Sequence, residues 1–406
     1  MNRPSTAENV PLTDKGISPA GAPPDQAATE RNGHILHARL CKRLAAAEGE
    51  FVLDVEFHAE PGFTILFGGS GAGKTTLLNC VAGLVTPDAG RIAIGQRILF
   101  DLDQSVKVPA AKRRVGYVLQ DLALFPHLTV EQNVQYGLSH LPRNRRHQRC
   151  TAILQAFRIP QLAKRYPKEI SGGERQRVAL ARTLVTDPLV LLLDEPLAAL
   201  DAATKARIFD DLRAWNQAHG IPILYVTHSR EEVFALGERA LVIDRGRIIA
   251  QGTPHEVLNA PRQETVAQLA GFENIFDAIV ESLREDRGTM TCRIMTSRLE
   301  PAQVANSALL ETPLVRAEVG SPLRIGIRAG DILLAITRPV GLSARNVIAG
   351  RLVSLERRDM IISARVNFGI EMEVHLTLAA RDALELAPGR EVWLVIKTHS
   401  CHLMRL

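Results

Sequence analysis

One glycine-rich segment has the residue types and spacing of a phosphate-binding loop. It follows the apolar run Thr64–Phe67 and fits the pattern G-x-x-x-x-G-K-T with Gly68, Gly69, Ser70, Gly71, Ala72, Gly73, Lys74 and Thr75, followed by Thr76. Glycines let several backbone N–H groups converge on phosphate oxygens, and the helix that follows points its positive end at the same anion. Lys74 can neutralise the β- and γ-phosphates, and the Thr75 hydroxyl can ligate Mg²⁺. The segment therefore predicts a nucleotide-binding site.

Two adjacent carboxylates, Asp194 and Glu195, follow the apolar run Leu189–Leu193. Five consecutive apolar residues are typical of a strand buried on both faces. The carboxyl end of such a strand is where α/β sheets bind ligands. Asp194 is therefore predicted to hold Mg²⁺, and Glu195 is predicted to polarise the attacking water as a general base.

Two more predicted strands end in a polar residue. Val115–Leu119 is followed by Gln120, and Ile223–Thr227 is followed by His228. Alone, either polar residue is more typical of an ordinary loop. Four parallel strands, however, would bring both residues to the edge that carries the phosphate loop and the carboxylates. Gln120 is then predicted to complete the metal shell and sense the attacking water, and His228 to contact the γ-phosphate and hold Glu195.

A capping box predicts a second anion site. The S-x-x-E pattern consists of Ser171, Gly172, Gly173 and Glu174, and it opens an apolar helical stripe that Asp187–Pro188 ends. The N-terminus of that helix favours anions, and the two glycines leave its backbone open to phosphate. Because the chain already has one phosphate loop, we expect this site to serve a second copy. Each ATP would then lie between the phosphate loop of one copy and the Ser171 segment of the other, in a head-to-tail homodimer.

In their order and rough spacing, these motifs resemble those of ABC transporter ATPases over about residues 35–270. The resemblance implies a P-loop, RecA-like core, a helical subdomain at about 121–186, and a dimer-contact loop at Ala198–Asp201. Ile170 stands where the family usually has Leu, and Glu174 where Gln is common. The family's adenine-stacking aromatic residue is missing from 38–50, so Phe51 is a weak candidate and adenine recognition stays open.

The pattern changes along the 406-residue chain, which suggests two or three domains. Residues 1–33 are rich in Pro, Ala and Gly and are predicted to be a disordered extension. In 34–271, apolar runs alternate with helical patterns, which predicts an α/β domain with a parallel sheet. In 272–406, short alternating stretches such as Leu323–Ile327, Ile362–Val366 and Val392–Ile396 predict an all-β domain, a small OB-like barrel.

The C-terminal region, especially about 342–406, resembles that of molybdate-importer ATPases, whose C-terminal domain is similar to small molybdate-binding β-barrels. The resemblance rests on Ser343-Ala344-Arg345-Asn346. Ser343, Arg345 and Lys397 can offer a hydroxyl, a guanidinium and an ammonium to a tetrahedral dianion such as molybdate. A purely structural barrel with surface cations is an equally open alternative. Ala380 stands where the family often has Ser, so one hydroxyl donor is missing.

The resemblance implies the ATP-hydrolysing subunit of a molybdate importer, with ATP and Mg²⁺ as cofactors. It further implies a homodimer, integral membrane permease subunits, an indirect periplasmic oxyanion-binding partner, and a peripheral location on the cytoplasmic face of the inner membrane. Residues 131–137, after Leu124-Phe125-Pro126, resemble the segment that meets the permease's coupling helix, although core packing explains them equally well. Tungstate, sulfate or ferric ion remains an alternative cargo.

Two other functional classes fit less well. Soluble ABC ATPases of DNA repair or translation generally have two cores in one chain or a long coiled coil, and neither pattern is present. An oxyanion sensor with a vestigial ATPase would not need an intact Lys74, Asp194, Glu195 and His228.

Composition and charge limit the kinds of binding partner and cellular compartment that the sequence predicts. The net charge of +5 is modest, and the basic run Arg143–Arg149 has no interleaved aromatic residue, so nucleic-acid binding is not indicated. Five cysteines without metal-ligand spacing favour a reducing compartment. No apolar run approaches the roughly 20 residues that span a bilayer.

Overall fold

The computed structural model describes residues 34–46, 49–259, 261–295 and 309–405. The predicted extension at 1–33 lies outside the described residues. The strands are β1 Leu36–Ala46, β2 Gly49–Ala59, β3 Gly62–Phe67, β4 Ala89–Ile94, β5 Arg97–Asp101, β6 Val106–Lys107, β7 Val115–Val118, β8 Val190–Asp194, β9 Pro222–Thr227, β10 Arg239–Asp244, β11 Arg247–Gly252, β12 Asn274–Arg284, β13 Thr289–Ile294, β14 Leu309–Pro313, β15 Pro322–Ile327, β16 Ile332–Ala335, β17 Asn346–Arg358, β18 Ile361–Asn367, β19 Glu371–Thr377, β20 Glu391–Ile396 and β21 His402–Arg405. The α-helices are α1 Lys74–Ala82, α2 Val130–Gln135, α3 Arg143–Ala156, α4 Gly172–Leu184, α5 Ala202–His219, α6 Arg230–Leu236, α7 Glu264–Leu269 and α8 Leu378–Ala383.

A six-stranded sheet forms the centre of the N-terminal part, in the order β11-β10-β3-β9-β8-β7. All its neighbouring pairs are parallel except β10 with β11. Every residue of β8 and β9 is buried, because helices and a second sheet cover both faces. The four strands predicted from apolar runs that end in polar residues are therefore confirmed, and their carboxyl ends share one edge of the sheet.

A second, five-stranded sheet in this part was not predicted. It is antiparallel, in the order β2-β1-β4-β5-β6, and packs on the central sheet through a core that includes Leu53, Leu77 and Leu192. Its strand β2 alternates buried with exposed or half-buried residues, as Leu53, Val55 and Phe57 do with Asp54 and Glu56. This period of two is the sequence signal that could have identified β2 as a strand.

A helix-rich segment separates β7 from β8. It contains α2, α3 and α4, whose apolar residues share one core with the central sheet, including Val134, Leu154 and Leu180. The basic run that begins at Arg143 lies on α3, where it forms a solvated helical face. No helix in the described part of the chain is both long and apolar enough to cross a membrane.

The C-terminal part is built from two five-stranded antiparallel sheets, in the orders β14-β13-β12-β15-β21 and β16-β20-β17-β18-β19. Their inner faces enclose a separate core that includes Ile325, Val374 and Leu394. The predicted fold class, an α/β P-loop core with a C-terminal all-β part, is confirmed.

Candidate ATP-binding and hydrolysis site

The phosphate loop lies between the end of β3 and the start of α1. Its last glycine, Gly73, has a φ of 103°, which glycine adopts far more easily than other residues. A Cβ at this position would come within 2.9 Å of the Phe51 ring. The Lys74 ammonium donates hydrogen bonds to the carbonyl oxygens of Gly68 and Gly69, at 2.9 and 2.7 Å. Burial lowers the pKa of Lys74, and the nearby carboxylates Glu195 and Asp194 oppose that shift.

A cavity of about 900 Å³ opens over this loop. Its lining brings together most of the residues predicted from sequence: Ser70, Gly71, Gly73, Lys74, Thr75, Thr76, Gln120, Asp194, Glu195 and His228, together with Leu44, Ala45 and Phe51. The loop residues Gly68, Gly69 and Ala72 complete the turn beneath it. Four separate strand ends therefore contribute to one cavity of a size suited to a small-molecule ligand.

Asp194 is buried at the end of β8, and burial raises its pKa. A hydrogen bond from the Thr75 hydroxyl opposes that rise. The hydroxyl of Tyr117, which sequence reasoning did not single out, lies 3.4 Å from Asp194 Oδ2 and 3.2 Å from Asn79 Oδ1. Carboxylate, hydroxyl and amide oxygens are the ligands that Mg²⁺ prefers, and Gln120 adds an amide at the same cavity. In the described residues, no cluster of three His, Cys, Asp or Glu side chains suits a metal.

Glu195 and His228 form a close pair at the carboxyl ends of neighbouring strands. His228 Nδ1 lies 3.2 Å from Glu195 Oε2. The backbone of Glu195 has a φ of 45°, in the left-handed region that costs a non-glycine residue roughly 1 kcal/mol. The Glu195 N–H donates to the carbonyl oxygen of Val226 at 3.1 Å and helps to hold this conformation. Such local strain is typical of functional positions.

The Ser171 segment forms the predicted capping box. The Ser171 N–H donates to Glu174 Oε2 at 2.8 Å, and the Glu174 N–H donates to Ser171 Oγ at 3.4 Å. Gly173 packs so closely on α5 that a Cβ would lie 2.6 Å from Thr204 Cγ2. Among the described residues, the lining of the cavity over Lys74 includes none of Ser171, Gly172, Gly173 and Glu174. The Ser171 segment therefore lies outside the lining of the cavity over the chain's own phosphate loop.

Phe51, the aromatic candidate for adenine, lies on β2 opposite Leu44 of β1, and both residues line the cavity. Its ring contacts Gly73 of the phosphate loop. The cavity thus has an apolar wall beside the loop, and this wall could have been found from the alternation of apolar residues along β2.

The three C-terminal oxyanion candidates, Ser343, Arg345 and Lys397, are exposed. Asn346 pairs with Ile396 across β17 and β20, so Arg345 and Lys397 lie just beyond the same end of this strand pair. Thr377, after which the family's Ser is missing, caps α8 by accepting a hydrogen bond from the Ala380 N–H at 3.1 Å. The cationic side chains Arg345 and Lys397 therefore lie on one rim of this sheet. The Thr377 hydroxyl is already hydrogen-bonded as a helix cap.

Comparison with known proteins identifies relatives over most of the chain. A family model described as ABC transporter matches residues 52–198, and one described as TOBE domain matches residues 342–403. The molybdenum import ATP-binding protein ModC of Rhizobium meliloti (strain 1021) is 40% identical over 352 residues, which cover 86% of this chain and 96% of that protein. The molybdate/tungstate import ATP-binding protein WtpC of Pyrococcus abyssi (strain GE5 / Orsay) is 38% identical, with 86% and 95% covered. The solved dimeric structure of MJ0796, a bacterial ABC transporter cassette, is 28% identical with a TM-score of 0.48, and 54% of this chain and 98% of that chain are covered.

Proposed function

Because this chain belongs to the ABC transporter family, among the molybdenum import ATP-binding proteins, we propose that it hydrolyses ATP to drive molybdate import through a membrane permease. The observation that carries the proposal is the convergence of Lys74, Asp194, Glu195 and His228 on one cavity. Binding to the permease gives the chain a peripheral place on the cytoplasmic face of the inner membrane. A periplasmic oxyanion-binding protein would deliver the cargo from the other side.

In this proposal, each residue of the cavity has a distinct task. The phosphate loop and Lys74 bind the triphosphate. Thr75, Asp194 and Gln120 would hold Mg²⁺, which would supply positive charge to the β- and γ-phosphates. Glu195 accepts the proton of the attacking water, and His228 orients Glu195 across the 3.2 Å contact between them.

The second half of the site comes from a second copy of the chain. Ser171, Gly172, Gly173 and Glu174 form a helix N-terminus that attracts anions but lies outside the cavity lining of its own subunit. A head-to-tail homodimer would place it on the γ-phosphate of the neighbouring copy. ATP then closes the dimer, and hydrolysis opens it.

The surface we assign to the permease is the loop Leu124–Pro126 with the adjacent Tyr136. Asn133, fully buried on α2, fixes this loop through hydrogen bonds with the backbone N–H and carbonyl of Phe125, at 2.9 and 3.1 Å. The Phe125 ring lies 4.5 Å from the ring of Tyr136, which is 61% exposed. This rigid aromatic pair suits the permease's coupling helix.

The proposed molybdate cargo can be tested by measuring molybdenum uptake in cells. In a bacterium deleted for its own copy, this chain should restore cellular molybdenum at limiting molybdate, measured by mass spectrometry of washed cells. Glu195→Gln should not restore it, whereas Glu60→Gln, an exposed change before β3 at the opposite edge of the sheet, should match the wild type. Restoration of sulfate or iron uptake without molybdenum uptake would contradict the proposed cargo.

We also propose that Arg345 and Lys397, on their shared rim, bind molybdate together with Ser343, since a guanidinium and an ammonium suit a dianion. The full chain should give a calorimetric binding signal with molybdate. Arg345→Gln with Lys397→Gln should weaken that binding by about 10-fold or more. Arg351→Gln, an exposed change of the same kind on β17, is the matched control. An unchanged affinity in the double variant would remove this site from the proposal and leave the transport role intact.

A further inference from the structure

Glu232 is a buried carboxylate on α6, close to His228, that the mechanism above does not use. Its side chain is only 5% exposed, yet it meets three donors. The hydroxyls of Tyr225 and Thr227 donate to Oε2 at 3.0 and 2.7 Å, and the Lys205 ammonium donates to Oε1 at 2.7 Å. Because three donors hold the buried Glu232 carboxylate, its side chain is fixed in one conformation.

The same network holds both neighbours of His228. Thr227 donates to Glu232 and accepts a hydrogen bond from the Ser229 N–H at 2.9 Å. The Ser229 hydroxyl in turn accepts from the Glu232 N–H at 3.4 Å. His228 itself is 67% exposed, so side-chain packing does little to fix it against Glu195. Its position depends on the backbone that Glu232 holds.

Lys205 extends this network to the dimer face. It lies in the first turn of α5, where its N–H donates to the carbonyl of Asp201 at 3.0 Å. Asp201 caps that helix by accepting from the Thr204 N–H at 2.9 Å, and Thr204 contacts Gly173 of the Ser171 segment. The Glu232–Lys205 pair therefore joins the His228 loop to the elements we assign to the second copy.

We propose that Glu232 is a positioning residue for ATP hydrolysis, which holds His228 against Glu195 and, through Lys205, links that contact to the start of α5. This inference rests on the proposed function and deepens it. Glu232 is not among the residues that line the cavity over Lys74. Its effect on the reaction passes through His228, so the two residues must act as one unit.

A double-mutant cycle tests this dependence. Glu232→Gln should lower kcat about 10- to 100-fold, the usual cost of misplacing a catalytic group, and change the KM for ATP by less than about 3-fold. In a His228→Ala background the same change should cost less than about 2-fold, because the interaction it supports is already gone. Equal losses in both backgrounds, or a kcat within about 2-fold of the wild type in Glu232→Gln, would overturn the inference.

Glu231→Gln is the matched control, since it removes the same charge from the exposed neighbouring position on the same helix and should leave kcat unchanged. If Glu232→Gln does not fold, Thr227→Val replaces it in the cycle, because it removes the hydroxyl that joins Glu232 to the Ser229 N–H and keeps the Glu232–Lys205 pair. Additive losses there would equally overturn the inference. The same assay distinguishes this inference from the proposed function. A wild-type chain that does not hydrolyse ATP would contradict the proposed function. A wild-type chain that is active, with an equal kcat in Glu232→Gln, would contradict only the role of Glu232.

Discussion

Glu195→Gln lowers kcat for ATP hydrolysis by about 10²- to 10⁴-fold, the usual contribution of a general base, and leaves ATP binding within a few-fold. Glutamine keeps the size of the side chain but cannot accept the proton of the attacking water. Because ATP then persists at the interface, the variant should elute as a dimer in gel filtration with excess ATP, while the wild type returns to monomer after turnover.

Glu60→Gln is the control for this experiment as well, because it alters an exposed carboxylate at the opposite edge of the sheet and should behave as the wild type. If Glu195→Gln keeps more than about a tenth of the wild-type kcat, the general base must be a group other than Glu195. A monomer in excess ATP would count against the shared interface.

Mixing two inactive variants should restore ATPase activity. Lys74→Ala removes the phosphate-loop cation, and Gly172→Asp places a negative charge where the neighbour's γ-phosphate would lie. The second change should not weaken the fold, because Ser171 still caps α4 and an acidic residue in the first turn favours a helix. A mixed dimer would have one complete site, formed by the phosphate loop of the Gly172→Asp copy and the Ser171 segment of the Lys74→Ala copy.

Random mixing places about half of the chains in such dimers, so activity should return to at most about a quarter of the wild-type value per chain. Each variant alone, taken through the same mixing, should stay inactive. Differently tagged copies would verify that mixed dimers form. If they form without activity, the two halves of the site belong to the same chain, and the head-to-tail arrangement is wrong.

Local pattern was sufficient to predict much of the site from sequence. Each strand that delivers a site residue is a largely apolar run followed closely by the site residue, as Val190–Leu193 is by Asp194, and parallel strands end at the same edge. The capping box at Ser171 was predicted for the same reason, since its hydrogen bonds join residues three apart. Both the strand ends and the capping box depend on residues that are close together in the sequence, so the sequence pattern is enough to predict them.

The features that sequence reasoning missed depend on distant contacts. The antiparallel sheet needs β1 to pair with β4 across the whole phosphate-loop unit, which no local period specifies. Glu232 stands beside Glu231 at a helix start and looks like half of a solvated acidic pair. Its hydrogen-bond partners, the side chains of Tyr225, Thr227 and Lys205, come from other elements of the fold.

The order of strands in the C-terminal part has a consequence for dissecting it. Strand β15 pairs with β21, yet all five strands of the other sheet, β16 to β20, occur between them in the chain. One sheet is thus inserted in sequence within the other, and no single cut separates the two into intact halves. A fragment excised at residues 342–403 would lose β16 from one sheet and would cut β21 of the other sheet in half. Deletion experiments should therefore remove or keep both sheets together.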